Sequence, residues 1–115
     1  MRFILRVLAV AAVFGLLLPA AYSGEKPPDG RALYRTNCKV CHDTGSAHGT
    51  YAPLTLTQEQ WRRFFNSKLV PAHRNAVHPK VQKKVLEFIS PEQMKAIQRF
   101  CIDHAADSEQ PATCG

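Results

Sequence analysis

The sequence predicts an all-α domain of about four short helices. Two segments open on capping boxes and continue with apolar residues at helical spacing. Gly and Pro punctuate the intervals between segments, and strand patterning is weak throughout. In chain order, Asp29 is suited to cap a helix running to about Asn37, with Leu33, Tyr34 and Cys38 able to share one face. Residues 43–55 hold Gly45, Gly49 and Pro53 and read as loop. Thr57 and Gln60 pair as a capping box ahead of a helix over about 58–67, whose apolar face is Trp61, Phe64 and Phe65. The stretch "KLVPAHRNAVH" reads as an irregular link, and Pro79 is suited to the first position of a third helix reaching Phe88. The fourth helix is the clearest. Ser90 caps it, Pro91 opens it and Gln93 completes the box; Met94, Ile97, Cys101 and His104 follow at helical spacing with Phe100 beside them, and the pattern ends near Asp107.

The beginning of the chain has a different character. Arg2 and Arg6 precede an apolar run from Val7 to Leu18, Pro19 breaks it, and Ala21-Tyr22-Ser23 places small residues where a signal peptidase reads. The run is shorter than the ~20 residues that span a bilayer. Residues 1–23 are therefore expected to be a signal peptide cleaved near Ser23, with no lipoprotein anchor, no stable membrane insertion afterwards, and a periplasmic or otherwise exported destination. What remains, residues 24–115, is 92 residues, enough for one domain with a thin core that gains from a staple or a cofactor. The expected division is a domain at 24–106 and a tail at 107–115.

Removing Arg2 and Arg6 leaves 13 Lys and Arg against 9 Asp and Glu, a net +4. The charges are uneven. Between Glu59 and Glu87 there is no acid, and that interval holds Arg62, Arg63, Lys68, Arg74, Lys80, Lys83 and Lys84. An exported protein rarely meets nucleic acid, and no aromatic residues interleave these charges for base stacking. The stretch fits an acidic protein partner instead.

The chemistry concentrates in "TNCKVCHDTG". Cys38 and Cys41 stand three apart and His42 follows at once. A zinc site needs four ligands, normally with a second close pair, and the other cysteines, Cys101 and Cys114, form none. A thioredoxin-type dithiol belongs after a strand in an α/β pattern, which is absent from the sequence. Covalent haem attachment fits: two thiols add across the two vinyl groups, and the next residue is carried beneath the iron as its proximal ligand. The expected cofactor is one haem c, held by Cys38 and Cys41 through thioethers and by His42 through the iron.

Gly30, Tyr34 and Cys38 stand at intervals of four, and Phe100 lies on the last helix. This resembles the class I c-type cytochromes, in which a Gly, an aromatic and the first haem cysteine recur at that spacing. The resemblance implies a cytochrome c-like fold wrapped around the haem, with the terminal helices crossing at the Gly and Phe100 packed at the contact. Pro53 is similar to the family's proline, whose carbonyl would accept the proximal imidazole N–H. The tail from Asp107 onward has no counterpart in the family pattern.

The family usually supplies a distal Met from a loop before the last helix. The chain's only Met after residue 23 is Met94, one turn into the capped last helix, where it reads better as a core side chain. The preceding loop offers His73 and His78, either of which gives bis-histidine coordination. His78, followed by Pro79 at a helix start, is the preferred ligand; His73 is the competitor, then Met94, then an open or water-bound position. A disulfide between Cys101 and Cys114 would pin the tail to the last helix and contribute ~3 kcal/mol by loop closure. The alternative is a buried free Cys101 and a reactive Cys114.

The function these features predict is electron transfer by a soluble monohaem c-type cytochrome, with redox proteins as partners and no catalytic acid or base. The alternatives are a haem enzyme or gas sensor with an open distal site, peroxidase-like with His73 and Arg74 beside it, or a fixed haem subunit of a respiratory complex.

Overall fold

A computed structural model describes residues 24–112. The expected signal peptide and Cys114, with its pairing to Cys101, lie outside the described residues. Within them the chain is helical, with no strand and one isolated antiparallel bridge between Val77 and Lys84. No helix among them is long and apolar enough to cross a membrane. The helices are α1 (Gly30–Asn37), α2 (Lys39–His42), α3 (Gln58–Arg63), α4 (Leu69–His73), α5 (Val85–Phe88) and α6 (Pro91–Asp103). A 3-10 turn spans Pro53–Thr55, and a π turn spans Phe64–Lys68 between α3 and α4.

The locally signalled starts form as their side chains dictate. The Asp29 carboxylate accepts from the amides of Arg31 at 3.0 Å and Ala32 at 3.1 Å, satisfying two of the free donors at the start of α1. Thr57 with Gln60 opens α3, and Ser90 with Gln93 opens α6, each as a reciprocal capping box.

α1 and α6 cross at Gly30. A Cβ on Gly30 would stand 2.2 Å from the Ala96 carbonyl oxygen and 3.0 Å from Phe100 Cβ, so the crossing is as close as backbone against backbone allows. The Tyr34 and Phe100 rings pack at 5.5 Å beside it. The core beneath is Tyr34, Trp61, Val85, Ile89, Ile97, Cys101 and Ala105, with Leu33, Phe64, Leu86, Phe88, Met94 and Phe100 partly buried around it. Leu54, in the turn after Pro53, is exposed.

Two intervals depart from the sequence reading. The expected link at 68–78 is helical as far as His73, so that Gln58 to His73 is one continuous helix with a π turn in its middle. The expected helix from Pro79 is helical only over Val85–Phe88. Residues 77–84 instead close on themselves: the His78 amide donates to the Lys83 carbonyl at 2.9 Å, and Val85 donates to Ala76 at 3.0 Å. Gln82 takes a positive φ of 60° at the tip. The last helix ends at Asp103, about one turn sooner than its periodicity suggests, and Ala106 then donates to the Leu56 carbonyl at 3.1 Å.

Candidate functional site

Cys38, Cys41 and His42 occupy a single helical turn that continues α1 past a bend. Cys38 ends α1, its amide bonded to the Tyr34 carbonyl at 2.9 Å, and its own carbonyl accepts from Cys41 at 3.1 Å and His42 at 3.0 Å. Both thiols and the imidazole thus hang from this one turn. Cys38 packs against that core. Burial, with a smaller contribution from Cys41, pushes its thiol up to about 12. A thiol-disulfide oxidoreductase needs the opposite shift, toward thiolate.

The loop after His42 is held at several points. Tyr51 donates its amide to the His42 carbonyl at 3.0 Å. The Tyr34 hydroxyl donates to the Tyr51 carbonyl at 2.5 Å. Burial first, and the neighbouring Cys101 second, raise that hydroxyl's proton affinity well above its usual range, which keeps it a donor. The Ser46 hydroxyl donates to the Cys41 carbonyl.

His42 Nδ1 meets the Gly49 carbonyl at 3.1 Å, which assigns Nδ1 as the donor and leaves Nε2 as the lone-pair nitrogen. Gly49 stands at φ 86°, and a Cβ there would lie 2.9 Å from the Tyr51 ring, so both conformation and space call for glycine. The expected acceptor for this imidazole, the Pro53 carbonyl, is engaged elsewhere: it accepts the Trp61 indole N–H at 2.8 Å in a buried contact. With the Pro53 carbonyl taken by Trp61, the role of orienting His42 falls to Gly49. The sequence signal for Gly49 was its place in a Gly-rich loop shortly after the motif; nothing local marks which carbonyl would turn toward the ring.

The histidines divide sharply. His73, at the end of α4, stands with its ring centre 5.9 Å from that of His42, the planes at 72°. Its Nδ1 is bonded to the Leu69 carbonyl at 2.9 Å. Neither ring uses Nε2 in a hydrogen bond to a described residue. Two imidazoles bound through Nε2 to opposite sides of one metal ion, at about 2.0 Å each, have ring centres ~6 Å apart. Phe64 flanks His73 at 6.1 Å and Tyr51 flanks His42 at 5.3 Å, both edge-on, so the pair lies among aromatic rings.

His78, the preferred distal ligand in the sequence reading, is buried at 3 % exposure with both nitrogens in use. Nε2 bonds the Thr36 carbonyl at 2.8 Å, while Nδ1 accepts from the amides of Lys80 and Val81, each at 3.2 Å. This ring closes the 77–84 turn and ties it to the end of α1, and it has no nitrogen to spare for a metal. Met94 is partly buried against the core. His48 is exposed, and His104 caps α6 with its Nδ1 on the Gln110 carbonyl at 2.7 Å. Cys101 is 1 % exposed, and burial lifts its thiol well above the usual range.

Among the described residues no three His, Cys, Asp or Glu side chains gather closely enough to hold a bare metal ion. A haem iron asks less of the protein. Cys38 and Cys41 would anchor such a group through their thiols, and His42 and His73 would offer imidazole nitrogens to its iron. The donors present therefore fit a haem.

No family model, curated protein or solved structure matches the chain significantly. The resemblance to class I c-type cytochromes rests on the residues themselves: the motif, the glycine crossing and the aromatic pair.

Proposed function

We propose that the chain is an exported monohaem c-type cytochrome that carries single electrons, with His42 and His73 as axial iron ligands. The observation that carries this is the pairing of a Cys-x-x-Cys-His turn with a second imidazole whose ring centre stands 5.9 Å from His42. When bound, the haem supplies a one-electron ferric/ferrous couple. The protein's part is to hold both rings still. The Gly49 and Leu69 carbonyls fix the two Nδ1 protons, so each ring presents the same nitrogen with the same tautomer in both redox states. Tyr51 packs edge-on against His42 and Phe64 against His73, with Trp61 and Phe65 stacked behind Phe64. With His73 in the distal place, the peroxidase-like alternative loses its vacant position.

The test is direct. The mature protein should carry one haem that stays with the chain through acid–acetone extraction, because thioethers do not dissociate. Cys38→Ser with Cys41→Ser should release the colour into the organic phase. Release from the unaltered protein would defeat covalent attachment.

The partner is an acidic redox protein. Arg62, Arg63, Lys68, Arg74, Lys80, Lys83 and Lys84 are all exposed. The one ion pair among the described residues joins Arg63 to Glu59 at 3.5 Å on the surface. Opposite charge should speed encounter ~10-fold or more at low salt, an advantage lost as screening shortens to ~10 Å at 0.1 M. The electron-transfer rate to an acidic acceptor should fall as salt rises and fall again in Lys83→Glu with Lys84→Glu. A rate flat in salt and indifferent to both substitutions would leave these charges a solubilising face.

A further inference from the structure

The helix from Gln58 to His73 does not keep one hydrogen-bond pattern. At Phe64–Lys68 it opens into a π turn, and the Leu69 amide reaches back five residues to the Phe64 carbonyl. Pro71 supplies a reason for the irregularity. Its ring cannot donate to the Ser67 carbonyl and would press against it in a regular helix. Such π turns are uncommon and gather at functional sites.

The placement of two side chains shows what this turn accomplishes. Trp61 binds the Pro53 carbonyl at 2.8 Å, and His73 packs against His42 at 5.9 Å. Pro53 and His42 belong to one loop, joined through the Tyr51–His42 backbone bond. Trp61 and His73 must therefore point from the same side of the helix. They are twelve residues apart. At 3.6 residues per turn, twelve residues leave side chains ~120° apart around a regular helix, whereas eleven leave them ~20° apart. A π turn takes up one residue, so residue twelve stands where residue eleven would.

We propose that the π turn at Phe64–Lys68 is the positioning element for the distal ligand: by absorbing one residue it carries His73 onto the Trp61 face, opposite His42. This rests on the reading of His73 as an axial ligand.

Three length variants test it, read by the low-spin signature of the oxidised haem protein and by backbone NMR of its reduced form. Deleting the exposed Asn66 together with Pro71→Ala, which removes the clash with the preceding turn, should restore a regular helix, abolish the Leu69–Phe64 hydrogen bond in NMR, and keep the low-spin spectrum. Inserting an alanine after Asn66 should rotate His73 by ~100° and lose that spectrum. The same insertion combined with Ala72→His and His73→Ala should regain it, which also shows that the lengthened helix folds. Retention of the low-spin spectrum in the insertion variant, or its loss in the deletion variant, would overturn the proposal. A low-spin spectrum unchanged by His73→Ala in the chain of natural length would instead remove the ligand reading beneath it.

Discussion

If the proposed haem reading holds, His73→Ala is expected to lose the six-coordinate low-spin spectrum of the oxidised protein, and its reduced form to bind carbon monoxide at the vacated position. The expectation follows from the ring-centre spacing and from the free Nε2 of both rings. His78→Ala is the informative contrast. The sequence order favours His78 as ligand, yet its ring spends both nitrogens on Thr36, Lys80 and Val81. Removing it leaves a carbonyl and two amides without their partners in a part-buried setting and a cavity where the ring was, so the domain should lose roughly 2–4 kcal/mol. For a domain of this size that lowers the melting midpoint by on the order of 10 °C or more. The two variants should therefore separate cleanly: a changed spectrum with a modest change in stability for His73→Ala, a large change in stability with the wild-type spectrum for His78→Ala. The reverse result would restore His78 as the ligand.

Gly30→Ala should destabilise the domain by about 3 kcal/mol, at the upper end of what overpacking costs. Helix propensity alone argues the other way, since Ala is favoured over Gly by up to ~1 kcal/mol inside a helix. The contact decides the sign. The new Cβ would lie 2.2 Å from the Ala96 carbonyl oxygen, a backbone atom of α6 that cannot swing aside. Relief requires α1 and α6 to part, which also loosens the Tyr34–Phe100 contact at 5.5 Å. Urea unfolding measures this directly, and a midpoint equal to or above that of the unaltered protein would show that the crossing tolerates a methyl group. The same substitution at the exposed Gly24, which meets nothing within 4 Å, serves as the control.

What the sequence made legible was local. Asp29, the Thr57–Gln60 pair and the Ser90–Gln93 pair each declare a helix start through atoms within three residues, and each formed. The Cys38–His42 motif is likewise contained in one turn. Gly30, Tyr34 and Phe100 were readable through family resemblance, and they meet at the α1–α6 crossing. What stayed hidden depends on partners distant in sequence. His78 bonds a carbonyl 42 residues away, and that tertiary bond, with the two amides on its other nitrogen, holds residues 77–84 in a closed turn where Pro79 by itself suggests a helix start. The stretch around Pro71 read as an irregular link. The chain instead absorbed the proline with a π turn and stayed helical to His73, which delivered the competing histidine to the site. The Pro53 carbonyl accepts from Trp61 rather than from the imidazole, a choice no spacing rule records.

The near absence of ion pairs around the seven exposed cations has a consequence for how the protein responds to its medium. Crowded like charges repel one another in the folded state more than in the open chain, so the fold carries a small internal pressure that dissolved ions relieve. The same ions weaken attraction toward an acidic surface. Ionic strength thus pulls in opposite directions on one set of side chains: brine makes the molecule sturdier and more solitary, while dilute surroundings make it less stable and more sociable.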